Sequence, residues 1–408
     1  MALGALLIRE RLKCSDGWVV RHVSENPYLQ YFIGMEEYSH KCPFGASTMV
    51  AFRKRFSEED IAAILEMIIP PKPEVETLED KEPPNNGTLI MDATCCPADI
   101  AYPQDINLLN ETREKLEKTI DEICKSNGLK KPRTYRKEAR KEYLKVAKSK
   151  KRSGKQLKKG IKKQLQYIRR DIGYIERFIE EGLPLTAAQQ KLMDVLTTLY
   201  GQQKTMYETN THSIPHRIVS LGQPHVRPIP RGKAKAKTEF GAKLHISMVD
   251  GYVRMERLDF EAYNEASDFY KIVEGYHERY GCYPERILAD RLYRNRQTLQ
   301  YCKERGIRIT GPALGRPPKD AKVTKAAKRQ EYQDMCDRNA IEGKFGTGKT
   351  AYGLGRIAAR LEGTSRCVIG IALIAMNLQK RLRAFLRQFL QWLFQHYYTC
   401  FRLNLAEI

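Results

Sequence analysis

The sequence predicts an α/β domain that is interrupted by a helical insertion and preceded by an all-helical N-terminal domain. Short apolar runs typical of buried strands lie at 88–94 and 286–290, and an alternating run typical of a half-buried strand lies at 240–249. Apolar residues at 157–179 step by four and three positions, as in a coiled coil. Residues 1–69 carry helix start signals before apolar runs. Elements in this order indicate one α/β domain split by a helical module.

The length of 408 residues exceeds that of one ordinary domain, which has roughly 100–200 residues. Changes in polarity, charge and proline content give the divisions. We predict the N-terminal helical domain at 1–69, a proline- and acid-rich linker at 70–87, the first part of the α/β domain at 88–106, a basic helical insertion at 107–207, the rest of the α/β domain at 208–379 and a C-terminal helix at 380–408.

The chain is strongly basic, with 71 Lys and Arg against 49 Asp and Glu and a net charge of +22. So basic a protein usually has a polyanionic partner, most often nucleic acid. Residues 130–170 alone hold 19 Lys or Arg and two Glu, a density that predicts contact with a phosphate backbone. Two plainer alternatives stay open: a solvated charged face, and a packaging or ribosomal protein that performs no chemistry.

The N-terminal helices have recognisable caps. Ser15 is expected to cap one helix, and Ser57 with Asp60 forms a predicted capping box before the run IAAILEMII. The basic residues at 53–55 are expected on an exposed face. A helix-turn-helix that reads DNA and a packing domain without base contacts are equally good interpretations, because no recognition helix stands out.

Two helices of the insertion carry matching apolar seams. The first seam comprises Leu157, Ile161, Leu165, Ile168, Ile172, Ile175 and Ile179, and the second comprises Ala188, Leu192, Val195 and Leu199. Gly182 and Pro184 end the first helix, and Thr186 with Gln189 is a predicted capping box for the second. The short connection predicts an antiparallel helical hairpin.

The ten cysteines lack the spacing of a zinc site or a disulfide framework, so reduced thiols and a cytoplasmic location are expected. The N-terminal apolar run is too short for a signal peptide. The longest apolar stretch, 367–376, has about half the length that spans a bilayer, so no membrane partner is expected. The aromatic C-terminal segment is expected to pack in the core or to form a dimer interface rather than to bind a membrane surface.

Two apolar runs end in an aspartate, at Asp92 and at Asp290. Carboxylates at strand ends suit divalent cations, because Mg²⁺ prefers hard oxygen ligands and keeps positions open for water and phosphate. Metal ions about 3.5–4 Å apart catalyse phosphodiester chemistry. Asp250, by contrast, precedes Gly251 between two strand patterns and is explained by a two-residue hairpin turn. His245 lies on the polar side of its strand, where a solvated side chain is expected.

Four ordered blocks carry a family resemblance. They are DATCCPADIAYPQDINLLNETR at 92–113, RPIPRGKAKAKTEFGAK at 227–243, LADRLYRNRQT at 288–298 and DRNAIEGKFGTGKTAYGLGRIAARL at 337–361. In this order they resemble the DDE transposases of bacterial insertion sequences, in the family named after insertion sequence five. The N-terminal helices also resemble the leader domain of that family. The resemblance covers most of the chain apart from the coiled-coil module.

The resemblance implies an RNase H-like catalytic domain, with a mixed five-stranded sheet whose first and fourth strands are adjacent. It implies that Asp92, Asp290 and Glu342 are the catalytic residues and the ligands of Mg²⁺ or Mn²⁺. Activated water would cut a phosphodiester bond at an insertion-sequence end, and the freed 3′-OH would then attack target DNA. The family uses neither ATP nor a covalent enzyme intermediate. Because both ends must be held together, a homodimer or a larger assembly on DNA is implied.

The last block has the family's spacing of arginine, glutamate and lysine, at Arg338, Glu342 and Lys349, whereas Met335 stands where the family has a tyrosine. On a helix these three residues share one face, together with Phe345. The two cations are therefore expected to contact DNA phosphates beside the metal-binding glutamate.

The basic and glycine-rich segments carry two further expectations. Arg231 and Lys233 of the second block are expected to contact the DNA backbone without reading its sequence. The glycines at 343, 346 and 348 each cost about 1 kcal/mol of helix stability against alanine, so an irregular helix is expected there until DNA binds.

Residues 343–350 also satisfy the Walker A pattern G-x-x-x-x-G-K-[ST]. A P-loop needs an apolar strand directly before it, but the preceding residues EYQDMCDRNAIE are polar. The later apolar segment CVIGIALIAM, taken as a strand candidate, has no terminal aspartate for Mg²⁺. Nucleotide binding is therefore not expected. A metal-dependent nuclease that does not join strands and a catalytically inactive DNA-binding protein derived from a transposase stay open as alternatives.

Overall fold

The computed structural model describes residues 1–71, 83–149, 151, 153–230, 238–311 and 321–406, without the side chains of 321–324, 327 and 396–406. Its helices are α1 (Ala2–Leu12), α2 (Asp16–Glu25), α3 (Pro27–Phe32), α4 (Thr48–Lys54), α5 (Glu58–Ile68), α6 (Asp105–Ser126), α7 (Arg136–Ala147), α8 (Gly154–Glu180), α9 (Ala187–Thr209), α10 (Phe269–Tyr280), α11 (Arg296–Glu304), α12 (Ala321–Ala351) and α13 (Glu362–Ala406). Its strands are β1 (Thr88–Pro97), β2 (Arg227–Pro230), β3 (Thr238–Val249), β4 (Tyr252–Asp259), β5 (Arg286–Leu288) and β6 (Arg308–Ile309). Short 3₁₀ turns lie at Glu265–Asp268 and Arg291–Tyr293.

The chain divides into two compact units. Unit 1 comprises Met1–Pro97, Ala242–Asp259 and Tyr263–Ile408, and unit 2 comprises Ala98–Gly241 and Phe260–Ala262. Unit 1 holds the sheet and the helices around it, so the mixed α/β class predicted from the sequence is confirmed. Unit 2 is mainly helical, and its short strand β2 pairs with the beginning of β3.

The strands of unit 1 follow one another in the sheet as β4, β3, β1, β5 and β6. β3 and β4 form the hairpin predicted around residue 250, with antiparallel pairing from Lys243–Asp259 to Val249–Tyr252. Asp250 and Gly251 form its turn with φ values of 50° and 74°. Positive φ at both positions is what a tight hairpin turn demands, so Asp250 serves the turn as predicted.

The parallel part of the sheet brings distant segments together. β1 pairs with β5 in parallel, with Thr88, Leu89 and Ile90 opposite Arg286, Ile287 and Leu288. β5 also pairs in parallel with β6. Strand β1 does not end at Asp92, as the sequence suggested, but continues to Pro97. The reason is that Cys95 and Cys96 are buried and continue the apolar strand past the aspartate.

The core of unit 1 lies between this sheet and its helices. One apolar cluster joins Leu89, Met91 and Ile287 of the central strands to Phe269 and Tyr276 of α10. α12 packs against β1 and β5. This packing places α12 beside the two central strands.

Helix α13 is the longest element among the described residues, with 45 residues. Its segment 367–376 is buried almost throughout and is a helix, so the strand candidate at these residues was wrong. An apolar run of ten residues is compatible with either element, and here α1, α4, α5 and β4 pack around it as around a core helix. The helix also continues through the boundary predicted between residues 379 and 380.

Asn377 links α13 to the sheet. Its side chain is fully buried, accepts a hydrogen bond from the Val253 backbone N–H at 3.0 Å and donates one to the Val253 carbonyl at 2.8 Å. Asn377→Leu leaves both backbone groups buried without partners, so we expect a loss of about 2–4 kcal/mol of unfolding free energy. Urea unfolding measures this loss. The neighbouring control Gln379→Leu should leave the midpoint within experimental error, and an unchanged midpoint for Asn377→Leu would contradict the prediction.

The N-terminal helices of unit 1 have the predicted caps. The Ser15 side chain accepts from the Trp18 N–H, and Ser57 with Asp60 forms a complete capping box. The basic face expected at 53–55 is wrong for Arg53, because this side chain is buried and ion-paired with Asp16. A buried guanidinium needs such a partner, which removes it from a DNA-facing surface.

Unit 2 is built on helices α6, α8 and α9. Ser153 caps α8, and Thr186 with Gln189 forms the predicted capping box of α9. The seam of α8 is buried at Leu165, Ile168, Ile172 and Ile175, against α6 as well as α9. The helical hairpin expected from the sequence therefore packs on a further helix.

No helix in the described part of the chain combines the length and the apolar character needed to cross a membrane. The cysteines within the described residues are free thiols.

Candidate active site

Asp92 and Asp290 follow matching positions of the two central strands. Because the parallel register sets residue 90 opposite residue 288, its continuation sets Asp92 level with Asp290. Asp290 begins the 3₁₀ turn Arg291–Tyr293, and its Oδ1 accepts from the Arg291 N–H at 2.6 Å. The Oδ1 of Asp92 accepts from the Ala93 N–H at 2.8 Å. The pairing of strands far apart in sequence thus brings both carboxylates together, just past the paired residues of β1 and β5.

Negative charge is concentrated around Asp92. The pKa of Asp92 is raised to about 6, chiefly by burial and to a smaller extent by the nearby carboxylates of Glu265 and Asp290, while the N–H of Ala93 and the charge of Arg338 oppose the rise. A partly buried carboxylate with other carboxylates nearby binds a cation more readily than an isolated surface carboxylate does.

Glu342 lies on α12, which packs beside β1 and β5. Its carboxylate is exposed and forms an ion pair with Arg338 at 3.3 Å. Arg338 is therefore close to both Glu342 and Asp92, since its charge also lowers the pKa of Asp92. In this conformation the arginine supplies the positive charge that the two carboxylates face.

The irregular helix expected at the three glycines is not observed, because α12 is continuous from Ala321 to Ala351. Ile341 and Phe345 are buried, and tertiary packing of this kind outweighs the low helix propensity of glycine. Gly348 has a packing role, since a Cβ there would lie 2.8 Å from Leu354 Cδ1. The same geometry argues against a P-loop, because residues 343–350 are inside a helix rather than in a loop before one.

Two of the four residues predicted to contact DNA lie in the described part of the chain. Arg338 and Lys349 lie on the helix face of Glu342, and Lys349 is half-buried. Arg231 and Lys233 lie in 231–237, outside the described residues.

Glu265 was not identified from the sequence. It is buried, forms an ion pair with Lys243 at 2.8 Å and contributes to the raised pKa of Asp92. Lys243 also lies over the Tyr263 ring at 4.9 Å. In the sequence, only its partner Lys243, at the end of the second block, pointed to this part of the site. Glu265 itself follows a loop that carries no strand or helix pattern.

A buried polar chain supports the turn that Asp290 begins. His245 Nδ1 lies 3.4 Å from Asp268 Oδ2, and its Nε2 lies 2.9 Å from the Tyr293 hydroxyl. His245 is fully buried, so the solvated position expected for it was wrong. Burial lowers the pKa of His245, and the neutral ring can donate from Nδ1 to Asp268 while Nε2 accepts from Tyr293. Both faces of this part of β3 are covered, which its alternating pattern did not reveal.

The carboxylate oxygens of Asp92, Asp290 and Glu342 are the donors that Mg²⁺ and Mn²⁺ prefer. The accumulation of negative charge at Asp92 agrees with that donor set. Within the described ranges, however, no three His, Cys, Asp or Glu side chains are grouped closely enough to hold a metal ion. Glu342, paired with Arg338, would have to turn toward the aspartates to complete such a group.

Comparison with known proteins identifies part of this region. Residues 287–379 match the family described as the transposase DDE domain. An uncharacterized protein of Rhizobium meliloti, ORF8 in the nfe locus, is 34% identical over 94 residues, which are 23% of this chain and 44% of that protein. The match thus spans less than half of that relative's length. No solved structure matches the chain. The resemblance to DDE transposases inferred from the sequence is thus confirmed by the match at 287–379, which includes the blocks at 288–298 and 337–361.

Proposed function

We propose that this chain is a DNA transposase that cuts phosphodiester bonds at insertion-sequence ends and joins the freed 3′-OH to target DNA. The observation that supports this most is the parallel register of β1 and β5, whose extension beyond residues 90 and 288 sets Asp92 level with Asp290, on strands that pack against the helix of Glu342. The family match at 287–379, which includes Asp290 and Glu342, supports the same class of reaction.

The catalytic domain is proposed to be RNase H-like. Without the short β2, the strands β1, β3, β4, β5 and β6 are the first to fifth along the chain. Their order in the sheet is then third, second, first, fourth and fifth, with the first and fourth strands adjacent and parallel. The domain divisions proposed from the sequence are retained except for the boundary between 379 and 380, which lies inside α13, and the basic insertion at 107–207 is proposed as an arm that contacts DNA.

Asp92, Asp290 and Glu342 are the residues that would hold Mg²⁺ or Mn²⁺. When bound, a pair of such ions activates the attacking oxygen and stabilises the leaving oxygen. Arg338 exchanges its ion pair with Glu342 for a phosphate oxygen, to which a guanidinium donates charge-assisted hydrogen bonds. Lys349, on the same helix face and about 16 Å further along the axis, contacts another phosphate.

Asp268, His245 and Tyr293 hold the turn of Asp290 in place during the reaction. The chain of contacts ends on Tyr293, three residues after Asp290 in the same 3₁₀ turn. Because His245 and Tyr293 are fully buried, the hydrogen bond between them is stronger than it would be in water. Asp290 is therefore presented in one orientation before DNA arrives.

DNA is the proposed partner, both as insertion-sequence ends and as target. A homodimer or a larger assembly on DNA is proposed, since two ends must be joined to one target. Arg231 and Lys233 are retained as proposed contacts with the DNA backbone, where they would add affinity rather than sequence specificity.

Glu342→Gln tests this function. The wild type, with Mg²⁺ or Mn²⁺ and a duplex carrying the inverted repeats that flank the coding sequence, should give cut and joined products. The variant should lose at least roughly 10³-fold in rate, because an uncharged amide is a poor ligand for these metals. The matched control is Glu278→Gln, an exposed glutamate of α10, which should keep the wild-type rate.

Other results would assign other functions. Cut products without joined products would indicate a metal-dependent nuclease. Tight DNA binding with no products from the wild type would indicate an inactive protein derived from a transposase. Equal rates for the wild type and Glu342→Gln would remove Glu342 from the site.

A further inference from the structure

Helix α12 has a second face, opposite Glu342, that lines a pocket. At about 100° per residue, Lys344 lies on the side of the helix opposite Glu342, together with Ala340 and Thr347. That side meets α13 at a pocket of about 460 Å³. The volume lies within the range of ligand pockets, roughly 300–1,000 Å³. The pocket is thus separate from the carboxylate site although it shares a helix with it.

The lining of this pocket carries one sign of charge. Its charged side chains are Lys344 of α12 and Lys380, Arg383 and Arg387 of α13, and its lining contains no Asp or Glu. Burial, with the charges of Lys380 and Arg383, lowers the pKa of Lys344 to about 8. Lys380 also lies over the Tyr252 ring at 4.9 Å. Like charges therefore repel one another beside Lys344 and Lys380, whose side chains are partly buried.

Several buried or partly buried arginines of unit 1 have carboxylate partners, unlike the cations of this pocket. Arg254 pairs with Glu66, Arg286 with Asp334 and Asp337, and Arg366 with Glu58 and Glu362. For the four cations of the pocket, no ion pair with a carboxylate is present among the residues that the structure describes. An anion that bridges them would remove the repulsion, and none of the described residues supplies one, so the pocket suits an anionic ligand.

We propose that the pocket between α12 and α13, lined by Lys344, Lys380, Arg383 and Arg387, binds the phosphate backbone of a DNA strand. This inference rests on the proposed function, which supplies DNA as the anion. Lys380, Arg383 and Arg387 form a row along α13 that is about 10 Å long at 1.5 Å per residue. Successive phosphates of one strand are about 3.4 Å apart along the DNA axis, so the row suits several phosphates better than a single ion.

The position on α12 gives the contact a specific use. Arg338 and Glu342 would contact the DNA that is cut, whereas Lys344, about 200° away around the helix, would contact another stretch of the DNA backbone. The pocket offers cations and no group arranged to read base edges, so the contact is independent of sequence. Such a contact fixes the register of the duplex relative to α12 without selecting the site.

The salt dependence of DNA affinity tests the proposal. We compare the full chain with Lys344→Ala/Arg383→Ala, using a duplex of unrelated sequence. Each lost phosphate contact lowers the slope of log affinity against log salt by about 0.9, so the double variant should lose about 2 in slope and bind more weakly at low salt. Lys344→Arg/Arg383→Lys, which keeps both charges, should retain the wild-type slope. This second variant separates charge from packing.

The control Lys271→Ala/Lys303→Ala removes two exposed cations of α10 and α11 and should leave the slope unchanged. An unchanged slope for Lys344→Ala/Arg383→Ala, with DNA bound by the wild type, would overturn the pocket and leave the proposed transposase intact. A reduced slope without cleavage by the wild type would support the pocket and overturn the transposase. Titration with inorganic phosphate alone, at constant ionic strength, tests whether the pocket instead binds free phosphate. The pocket would be assigned to free phosphate if the wild type bound it tightly, the double variant did not, and the salt slope for DNA were the same in both proteins.

Discussion

Asp92→Asn is expected to abolish DNA cleavage and strand transfer while making the metal-free protein more stable at pH 8. The carboxylate is a proposed metal ligand, and its loss should reduce the rate by roughly 10³-fold or more, as for other residues that hold catalytic metals. The stability gain has a separate origin. The pKa of Asp92 is raised from 3.8 to about 6 by burial and by neighbouring carboxylates, so the charged form is disfavoured in the folded chain.

The sign of the pH effect follows from the raised pKa. Between about pH 4 and pH 6 the folded chain keeps a proton that the unfolded chain releases, so stability falls as the pH rises through this window. Two pKa units correspond to about 3 kcal/mol as an upper value. The asparagine side chain of the variant carries no charge and is free of this loss, so Asp92→Asn should gain about 1–3 kcal/mol at pH 8 and little at pH 4.

Metal binding supplies a readout that does not depend on activity. Millimolar Mn²⁺ should raise the melting temperature of the wild type, because a ligand that binds only the folded state stabilises it, and should not raise that of Asp92→Asn. The control is Asp250→Asn, which changes an exposed aspartate in a hairpin turn that asparagine also accommodates. Asp92 would be excluded as a metal ligand if Asp92→Asn cut DNA at the wild-type rate and Mn²⁺ raised its melting temperature as much as that of the wild type.

Local patterns predicted the parts of this fold that depend on a few neighbouring residues. The capping boxes at Ser57 and Thr186 and the turn at Asp250 follow from side chains and backbone conformations within four residues. The two aspartates were also found, because each follows an apolar run. Their common position in the register of β1 and β5 could be stated only from the family resemblance, since pairing over 198 residues leaves no local signal.

The errors have a shared physical cause. Arg53 was expected at the surface and His245 in solvent, but both side chains are buried with partners distant in sequence, Asp16 and Tyr293. Segment 367–376 was taken as a strand candidate because a short apolar run fits a buried strand and a buried helix equally well. Each of these outcomes depends on tertiary neighbours, which composition and periodicity do not specify.

The site itself was predicted in part. Residue spacing placed Arg338 and Glu342 on one helix face, and their ion pair agrees with that spacing. The spacing could not predict that Arg338 also faces Asp92, nor that Glu265 adds charge there. The cationic pocket on the opposite face of α12 was not predicted from the sequence for a similar reason. Lys380, Arg383 and Arg387 of α13 were assigned to a separate C-terminal helix.

Asp171→Asn is expected to stabilise unit 2 by about 2–4 kcal/mol at pH 8. The Asp171 side chain is fully buried on α8, and neither carboxylate oxygen has a hydrogen-bond partner within the described residues. Burial and the nearby Glu117 raise the pKa of Asp171 to about 7, against the opposing charges of Arg113, Arg170 and Arg136. From 3.8 to about 7 is a shift of about 3 units, which corresponds to about 4 kcal/mol as an upper value.

The pH dependence identifies the charge of Asp171 as the cause. A carboxyl group with a raised pKa loses stability as the pH rises from about 4 to about 7, and the loss then stays constant. Calorimetry of the full chain should therefore show the transition of unit 2 several degrees higher in Asp171→Asn at pH 8, with the two proteins nearly equal at pH 4.5. Asp194→Asn, an exposed change on the neighbouring α9, should have no effect at either pH.

The opposite result would also be informative, because Asp171 lies among arginines of the most basic part of the chain. A loss of stability in Asp171→Asn at pH 8 would mean that the carboxylate is charged and balances Arg113 and Arg170, each of which has a buried nitrogen without a hydrogen-bond partner in the described residues. Removing one partner of a buried ion pair typically costs about 3–5 kcal/mol. The sign of the change at pH 8 thus decides whether Asp171 is a neutral group strained by burial or the counter-charge that lets these arginines enter the core of unit 2.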